Sequence, residues 1–321
     1  MPPPNPYQIV VDECNTFRSV GEFPGKLWKF CLPMRSSTYK PFGYMLDDTV
    51  VMFMKDPTIC SHFLFINDKH EVRMKPESCK DLNAWKQAFA EIHNAAHELF
   101  INKYQDSKGL KRWPEDDWPV LGYRDSQYPM PCDLAGIFGI TTSGVHLNVY
   151  SRTKNGGVID KIWLAQRGPD KTQYPNMMDQ CVAGGMQTMD NGDALAALVR
   201  EAKEEAGLSK KEIKTGGAVA QGFVTFFNVR DENAGDQDSG RPEPGIRYVF
   251  DLEVEPGFEM TPNESTISGF RDYQVTEVCD LLLRKQFKPN CGLVMLDFLV
   301  RHELVPKEGL QLRRELEFPT E

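Results

Sequence analysis

A chain of 321 residues exceeds one ordinary core and falls short of three, so two domains are expected. It is 40% hydrophobic and 26% charged, a globular balance. Lys and Arg number 37 against 46 Asp and Glu, a net charge of −9 with no basic tract, which argues against a nucleic-acid-binding surface; an acidic enzyme for a phosphorylated substrate would need a bound cation.

No apolar run nears the ~20 residues that span a bilayer. The start, MPPPNPYQIVVDECNTF, lacks a basic region followed by an apolar stretch, so neither a membrane span nor a secretory signal is expected. From Tyr7 to about residue 102, strand-like runs (GYMLDDTVVMFM, CSHFLFIN) accompany one helical stretch from Cys79 to Phe100. That stretch spaces Leu82, Trp85, Phe89, Ile92 and Ala96 three or four apart, one apolar stripe. His93 and His97 sit at i and i+4 within it, but no further His or Cys follows on that face, and core packing accounts for the helix. Lys103 to Pro131 is rich in Pro, charge and aromatics and reads as a connection packed on a surface. The expected division is an N-terminal α+β unit over 1–125, a second domain over 126–306 and a tail over 307–321.

The second domain opens on strands (IFGITTSGVHLNVYSR, KIWLAQRG) joined through a Lys-Asn-Gly-Gly turn. A loop, PDKTQYPNMMDQ, leads to CVAGG and a helix from Asp193 to Ala206. VTFFNV follows, then an acidic loop at 231–245 with too little apolar content to order itself, then RYVFDLEV and an amphipathic CGLVMLDFLVRHEL. Eight cysteines (14, 31, 60, 79, 132, 181, 279 and 291) show no C-x-x-C pair, which fits reduced thiols in a cytoplasmic protein without structural zinc. His146, His302 and Cys181 read as core or boundary residues, and Phe226 and Phe227 as core that could also stack on a flat heterocycle.

The chemistry concentrates in Ala183 to Leu208, AGGMQTMDNGDALAALVREAKEEAGL. On a helix, Leu195, Leu198, Val199, Ala202 and Ala206 share one arc, with Glu201, Glu204 and Glu205 expected on roughly the opposite side. Three crowded glutamates repel, and a hard divalent cation, Mg²⁺ or Mn²⁺, reverses that sign while leaving sites for phosphate oxygens and water. Arg200, four residues before Glu204, can orient it. Gly207 suits a left-handed helix end, and Gly184 and Gly185 a tight turn before the metal. A solvated charged face is the competing account; the preceding strand and Gly-Gly loop favour the metal.

REAKEEAGL, preceded by AGG, resembles the Nudix box. Its second half matches, with Ala202 at the first aliphatic position. The first half departs: there is one residue too many between Gly185 and Arg200, and Gly192-Asp193 stands where a glutamate is expected, with Asp193 able to cap the helix. KIWLAQRGPDKTQYPNMMDQCVAGG and FKPNCGLVMLDFLVRHELV look like stretches of the fungal and plant Nudix proteins related to thiamine pyrophosphokinase. The resemblance implies an α/β (α+β) fold: a Nudix α/β/α sandwich with a mixed sheet, preceded by a smaller α+β domain that covers one side of the cleft. It also implies metal held by Glu201, Glu204, Glu205 and the Gly185 carbonyl, with Glu204 and Glu205 catalytic.

The implied substrate is a small-molecule diphosphate, an oxidised or deaminated thiamine diphosphate, cut to the monophosphate and phosphate by a monomer or homodimer. Arg167, Lys171, Tyr174 and Asp179, in the segment entering the Gly-Gly loop, could reach such a substrate, with Arg167 the strongest phosphate candidate. Lys288 and Asn290 read first as fold elements. Thr266 falls where the family carries an acidic residue, so a non-catalytic diphosphate-binding module stays open as an alternative. So does hydrolysis of a nucleoside diphosphate derivative.

Overall fold

The computed structural model describes residues 4–36, 38–104, 116–124, 127–154 and 157–312; the Lys-Asn-Gly-Gly turn and the end of the tail fall partly outside them. In chain order the elements begin with α1 (Gln8–Glu13), β1 (Leu27–Pro33), β2 (Tyr39–Leu46), α2 (Asp47–Phe53), α3 (Pro57–His62), β3 (Phe63–Ile66), β4 (Glu71–Met74) and α4 (Leu82–Lys103). They continue with β5 (Asp117–Pro119), β6 (Pro129–Pro131), α5 (Cys132–Phe138), β7 (Thr142–Arg152), β8 (Ile159–Arg167), β9 (Met178–Asp179) and β10 (Val182–Gly185). The last are α6 (Ala194–Ala206), α7 (Lys210–Lys214), β11 (Val219–Val229), β12 (Pro242–Glu253), β13 (Ile267–Gln274), α8 (Val275–Leu283) and α9 (Pro289–Arg301).

β7 is buried at every position from Thr142 to Ser151, as a strand covered on both faces must be. Its odd-numbered residues Val145, Leu147 and Val149 pack with Leu198, Ala202 and Ala206 of α6. Tyr150 packs with α9 instead, and β7 thereby separates two helical layers. The sheet runs β11-β12-β7-β8-β13, with β12 parallel to β7 and the other neighbours antiparallel, a mixed sheet in an α/β/α sandwich. The first half of β7 pairs with β10, which sets Gly184 opposite Val145 and Gly185 opposite Gly144. The two glycines are therefore held in the sheet rather than in a free loop.

The first half of the chain forms a four-stranded sheet, β2-β1-β4-β3, under α4. Asp81 caps α4 through the Ala84 N–H, and Trp85, Phe89, Ile92, Ala96 and Phe100 are buried along it, the expected stripe one turn further. This core extends through Tyr123, Tyr128, Phe138 and Ile140. Val10 and Val11 of α1 and Cys14 just after it pack in the other core, against α9. Phe17 stacks on Phe227 with ring centroids 4.1 Å apart, a further contact between the beginning of the chain and the large sheet.

The 231–245 segment differs from expectation. It is ordered by charge rather than by apolar burial: Arg230 pairs with Asp238 at 2.9 Å and with Glu243 at 3.1 Å, Arg241 Nε donates to the Gln237 carbonyl, and Gln173 donates to Asp238. Counting apolar residues misses such a network, because its partners lie up to 65 positions apart in the chain.

Candidate active site

α6 starts where Asp193 accepts from the Leu195 and Ala196 N–H groups, the cap expected from the sequence. It ends at Gly207, whose φ of +64° suits a residue without Cβ and lets its N–H reach the Ala202 carbonyl. Asn263 then secures the helix end: its N–H donates to the Glu205 carbonyl and its side chain to that of Lys203. That docking brings the neighbouring Glu264 to the helix.

The glutamates do not share an outward face. Glu201 is buried and Glu205 half-buried, and only Glu204 is exposed. Glu201 and Glu205 stand one helical turn apart at the edge of the Leu198–Ala202 arc, so the docking of α6 on β10 carries them inward. Glu205 accepts the Ala183 N–H at 2.8 Å. Glu201 lies against Gly184, where an added Cβ would fall inside its carboxylate. We expect Gly184→Ala to push Glu201 off Arg200 and weaken Mn²⁺ binding at least about tenfold while the circular dichroism stays native; unchanged affinity would remove this role.

Arg200 organises the group. Its guanidinium makes a two-pronged contact with Asp190 and donates to Glu201 at 2.7 Å, to Glu204 at 3.3 Å and to the Gly185 carbonyl at 2.9 Å. Asp190 thus holds the arginine in the stretch where the sequence departs from the Nudix pattern. Gly185, expected as a ligand through its carbonyl, is covered by the Trp118 indole, close enough that a Cβ would meet it. Gln187 donates to Asp116 and Thr188 to the Asp117 carbonyl, so the connecting segment docks over the loop after β10. A cavity of about 120 Å³, lined in part by Pro119, Leu121, Ser143, Met186 and Tyr248, lies between them.

Crowding shows in the ionisation. Burial, with Glu201 and Asp179 nearby, pushes Glu205 up to about 8 despite the Ala183 N–H. Burial, against Arg200 and aided by Glu204 and Glu264, pushes Glu201 up to about 7. Thr266 leaves no gap at its position: its hydroxyl donates to Glu264 at 2.7 Å, and Glu264 acts electrostatically on both Glu201 and Lys171. Glu264, the acidic residue that the sequence offers two positions before Thr266, is brought to α6 by the Asn263 bonds. Carboxylates this reluctant to ionise fit a divalent cation, which restores their charged forms.

Because the folded state holds these protons more tightly than the unfolded chain, their contribution is full below the ordinary glutamate value of 4.5 and is lost as pH rises from there through about 7 for Glu201 and about 8 for Glu205. The melting temperature of chelator-treated protein should fall across that interval, and the gain on adding Mn²⁺ should grow across it. A flat metal-free profile would contradict the protonated pair.

The four residues expected to contact substrate are placed unequally. Arg167 is engaged at all three nitrogens, by Asp179 at 2.9 Å and by the Gln173 and Tyr174 carbonyls, so it holds the 173–179 segment. Asp179 is buried; burial opposes its charge, but Arg167 and Lys288 keep its carboxyl below the usual range. Tyr174 is also buried, and its backbone N–H donates to the Asn233 carbonyl. Lys171 is linked to the carboxylates electrostatically: burial and Arg167 depress its pKa, while Glu205, Glu264 and Asp179 act the other way.

His146, Asp179 and Cys291 each have one potential ligand atom within 4.8 Å of the other two, all buried. Cys291 Sγ donates to Asp179 at 2.7 Å, and His146 pairs with Gln180 at 2.7 Å. Burial, with Arg247 and Lys288 nearby, pushes His146 down to about 4. Three cations (Arg167, Arg247 and Lys288) act on this trio and already balance the Asp179 carboxylate, which leaves little reason for a further positive ion.

The sandwich sets the capped helix and its clustered glutamates against a Gly-Gly strand end, and residues 146–291 match the NUDIX domain model. The chain is similar to an uncharacterized protein of Saccharomyces cerevisiae, 27% identical over 320 residues covering 90% of this chain and 89% of that protein. It is 31% identical over 177 residues to Nudix hydrolase 20, chloroplastic, of Arabidopsis thaliana, across 54% of this chain and 43% of the relative. With Nudix hydrolase 24, chloroplastic, of the same plant it shares 31% over 187 residues, across 57% of this chain and 47% of the relative. The chain thus spans about half the length of these two plant relatives. No helix among the described residues is long and apolar enough to cross a membrane.

Proposed function

We propose that this protein is a Mg²⁺- or Mn²⁺-dependent hydrolase of a small organic diphosphate, releasing a monophosphate and phosphate, with an oxidised or deaminated thiamine diphosphate as substrate. The observation that carries the hydrolytic part is the joining of Glu201, Glu204 and Glu205 with Glu264 in one partly buried cluster balanced within the chain by Arg200 and Lys171. The thiamine part rests on the resemblance of the 161–185 and 287–305 stretches to the thiamine-pyrophosphokinase-related branch. The free thiols of all eight cysteines support a cytoplasmic protein, working as a monomer or homodimer.

Glu201, Glu204 and Glu205 would hold the cation, with the Gly185 carbonyl as a neutral donor. The cation supplies electrophilic activation of the diphosphate and of an attacking water. With the cation bound, Glu205 would be ionised and able to accept the water's proton. Arg200 fixes Glu201 and Glu204 in place, and Lys171 offers its ammonium to a phosphate oxygen. Trp118 and the segment after it exclude water from one side and border space for the organic group.

The test is phosphate release from oxidised thiamine diphosphate, ADP-ribose and NADH, each with Mg²⁺, Mn²⁺ or chelator. Metal-dependent release favouring the thiamine compound is expected. Preference for ADP-ribose or NADH would replace the substrate, and binding without turnover of any would replace the hydrolase with a binding module.

A further inference from the structure

Alternate residues of β7 point to α6, and on that face Val145, Leu147 and Val149 are apolar, but the position before them is Ser143. The register sets Tyr248 opposite Val145, on the same face. Both residues line the cavity of about 120 Å³. Ser143 is only 7% exposed, yet neither its hydroxyl nor that of Tyr248 has a hydrogen-bond partner among the described residues. A hydroxyl buried in this way is costly until something bonds to it. The cavity also adjoins the glutamate cluster: Met186 N–H donates to the Ser143 carbonyl at 2.9 Å, one residue past the Gly185 carbonyl that Arg200 holds.

The remaining lining limits what can enter. Pro119, Leu121 and Met186 supply apolar surface, and no Asp, Glu, Lys, Arg or His borders the cavity among the described residues. A charged occupant would lose its hydration with no counter-charge beside it. A purely apolar one would leave both hydroxyls unsatisfied. An outer groove of about 530 Å³ shares Gln127, Gln187, Thr188 and Asn191 with the cavity, so the two voids adjoin and give the occupant a way in. Volume sets the last limit. A dry cavity of roughly 150 Å³ admits benzene, so one of about 120 Å³ with an open side suits one six-membered ring and not two fused ones.

We propose that Ser143 and Tyr248 form a specificity pocket for one uncharged heteroaromatic ring, bonding a carbonyl or N–H at its edge, and that fused rings and rings of fixed positive charge are excluded. That this ring is the organic end of the diphosphate rests on the hydrolase reading; the binding of the ring does not.

The test follows the isotope-labelled methyl of Met186 by NMR while the full chain is titrated with uracil, with purine and with N-methylpyridinium. Uracil should shift that signal and bind at least about tenfold more tightly than either of the others. Ser143→Ala and Tyr248→Phe should each weaken uracil by about threefold to tenfold, the range of one hydrogen bond. The melting temperature of neither variant should fall, because each loses a hydroxyl that bonds to nothing in the protein. Binding of uracil no tighter than the other two, or without a shift at Met186, would overturn the pocket. So would variants that melt earlier and keep their affinity for uracil, since the hydroxyls would then be structural. The preference for uracil in a protein that releases no phosphate from any diphosphate would count against the hydrolase reading alone; turnover without that preference would count against the pocket alone.

Discussion

Glu205→Gln is expected to lower turnover by at least about a hundredfold, roughly 2.7 kcal/mol of transition-state stabilisation, and Glu204→Gln to do the same. An amide is a poor ligand for Mg²⁺ and cannot accept a proton from water. The two variants should differ in stability. Glu205 is half-buried and held neutral near pH 7, and glutamine keeps an acceptor for the Ala183 N–H, so metal-free Glu205→Gln should melt at or above wild type. Glu204 is exposed apart from its contact with Arg200, so its loss should hardly move the melting temperature. Wild-type rates in both variants would remove the metal-site account.

Arg200→Met is expected to cost the fold about 3–5 kcal/mol, the usual penalty for removing one partner of a buried charge pair, or about 10 °C in melting temperature for a domain of this size. Asp190 is buried and takes two of the guanidinium contacts, and Glu201 takes a third, so both carboxylates lose their cation together. Arg200→Lys should recover only part of this, since one ammonium cannot reach Asp190, Glu201 and the Gly185 carbonyl at once. Added Mn²⁺ should restore more stability to Arg200→Met than it gives wild type, because it supplies a positive charge beside Glu201. Equal thermal stability of wild type and Arg200→Met would show that the arginine is a solvated bystander.

Much of the site was legible in one helix. The run from Asp193 to Gly207 announces its cap, its apolar arc, its glutamates and its end, and each is local in the chain. What the helix does with its glutamates was not legible, because the direction in which α6 docks on β10 decides whether Glu201 points to water or to Gly184. Glu264, Trp118 and Asp190 come to the site through contacts with Asn263, Gly185 and Arg200, across separations that no periodicity marks. Arg167 looked like a phosphate ligand from its place before the loop; the structure engages its guanidinium with Asp179 and two carbonyls. Lys171, in the same segment, is acted on electrostatically by Glu205 and Glu264 instead.

The central claim is that the α6 glutamates, rather than the buried His146–Asp179–Cys291 trio, hold the cation on which hydrolysis depends. Crystals soaked in Mn²⁺ and measured for anomalous scattering locate the ion directly. The account predicts a peak between Glu201, Glu204 and Glu205, absent in Glu205→Gln crystals soaked alike; a peak at His146, Asp179 and Cys291 instead, or none near α6, would contradict it.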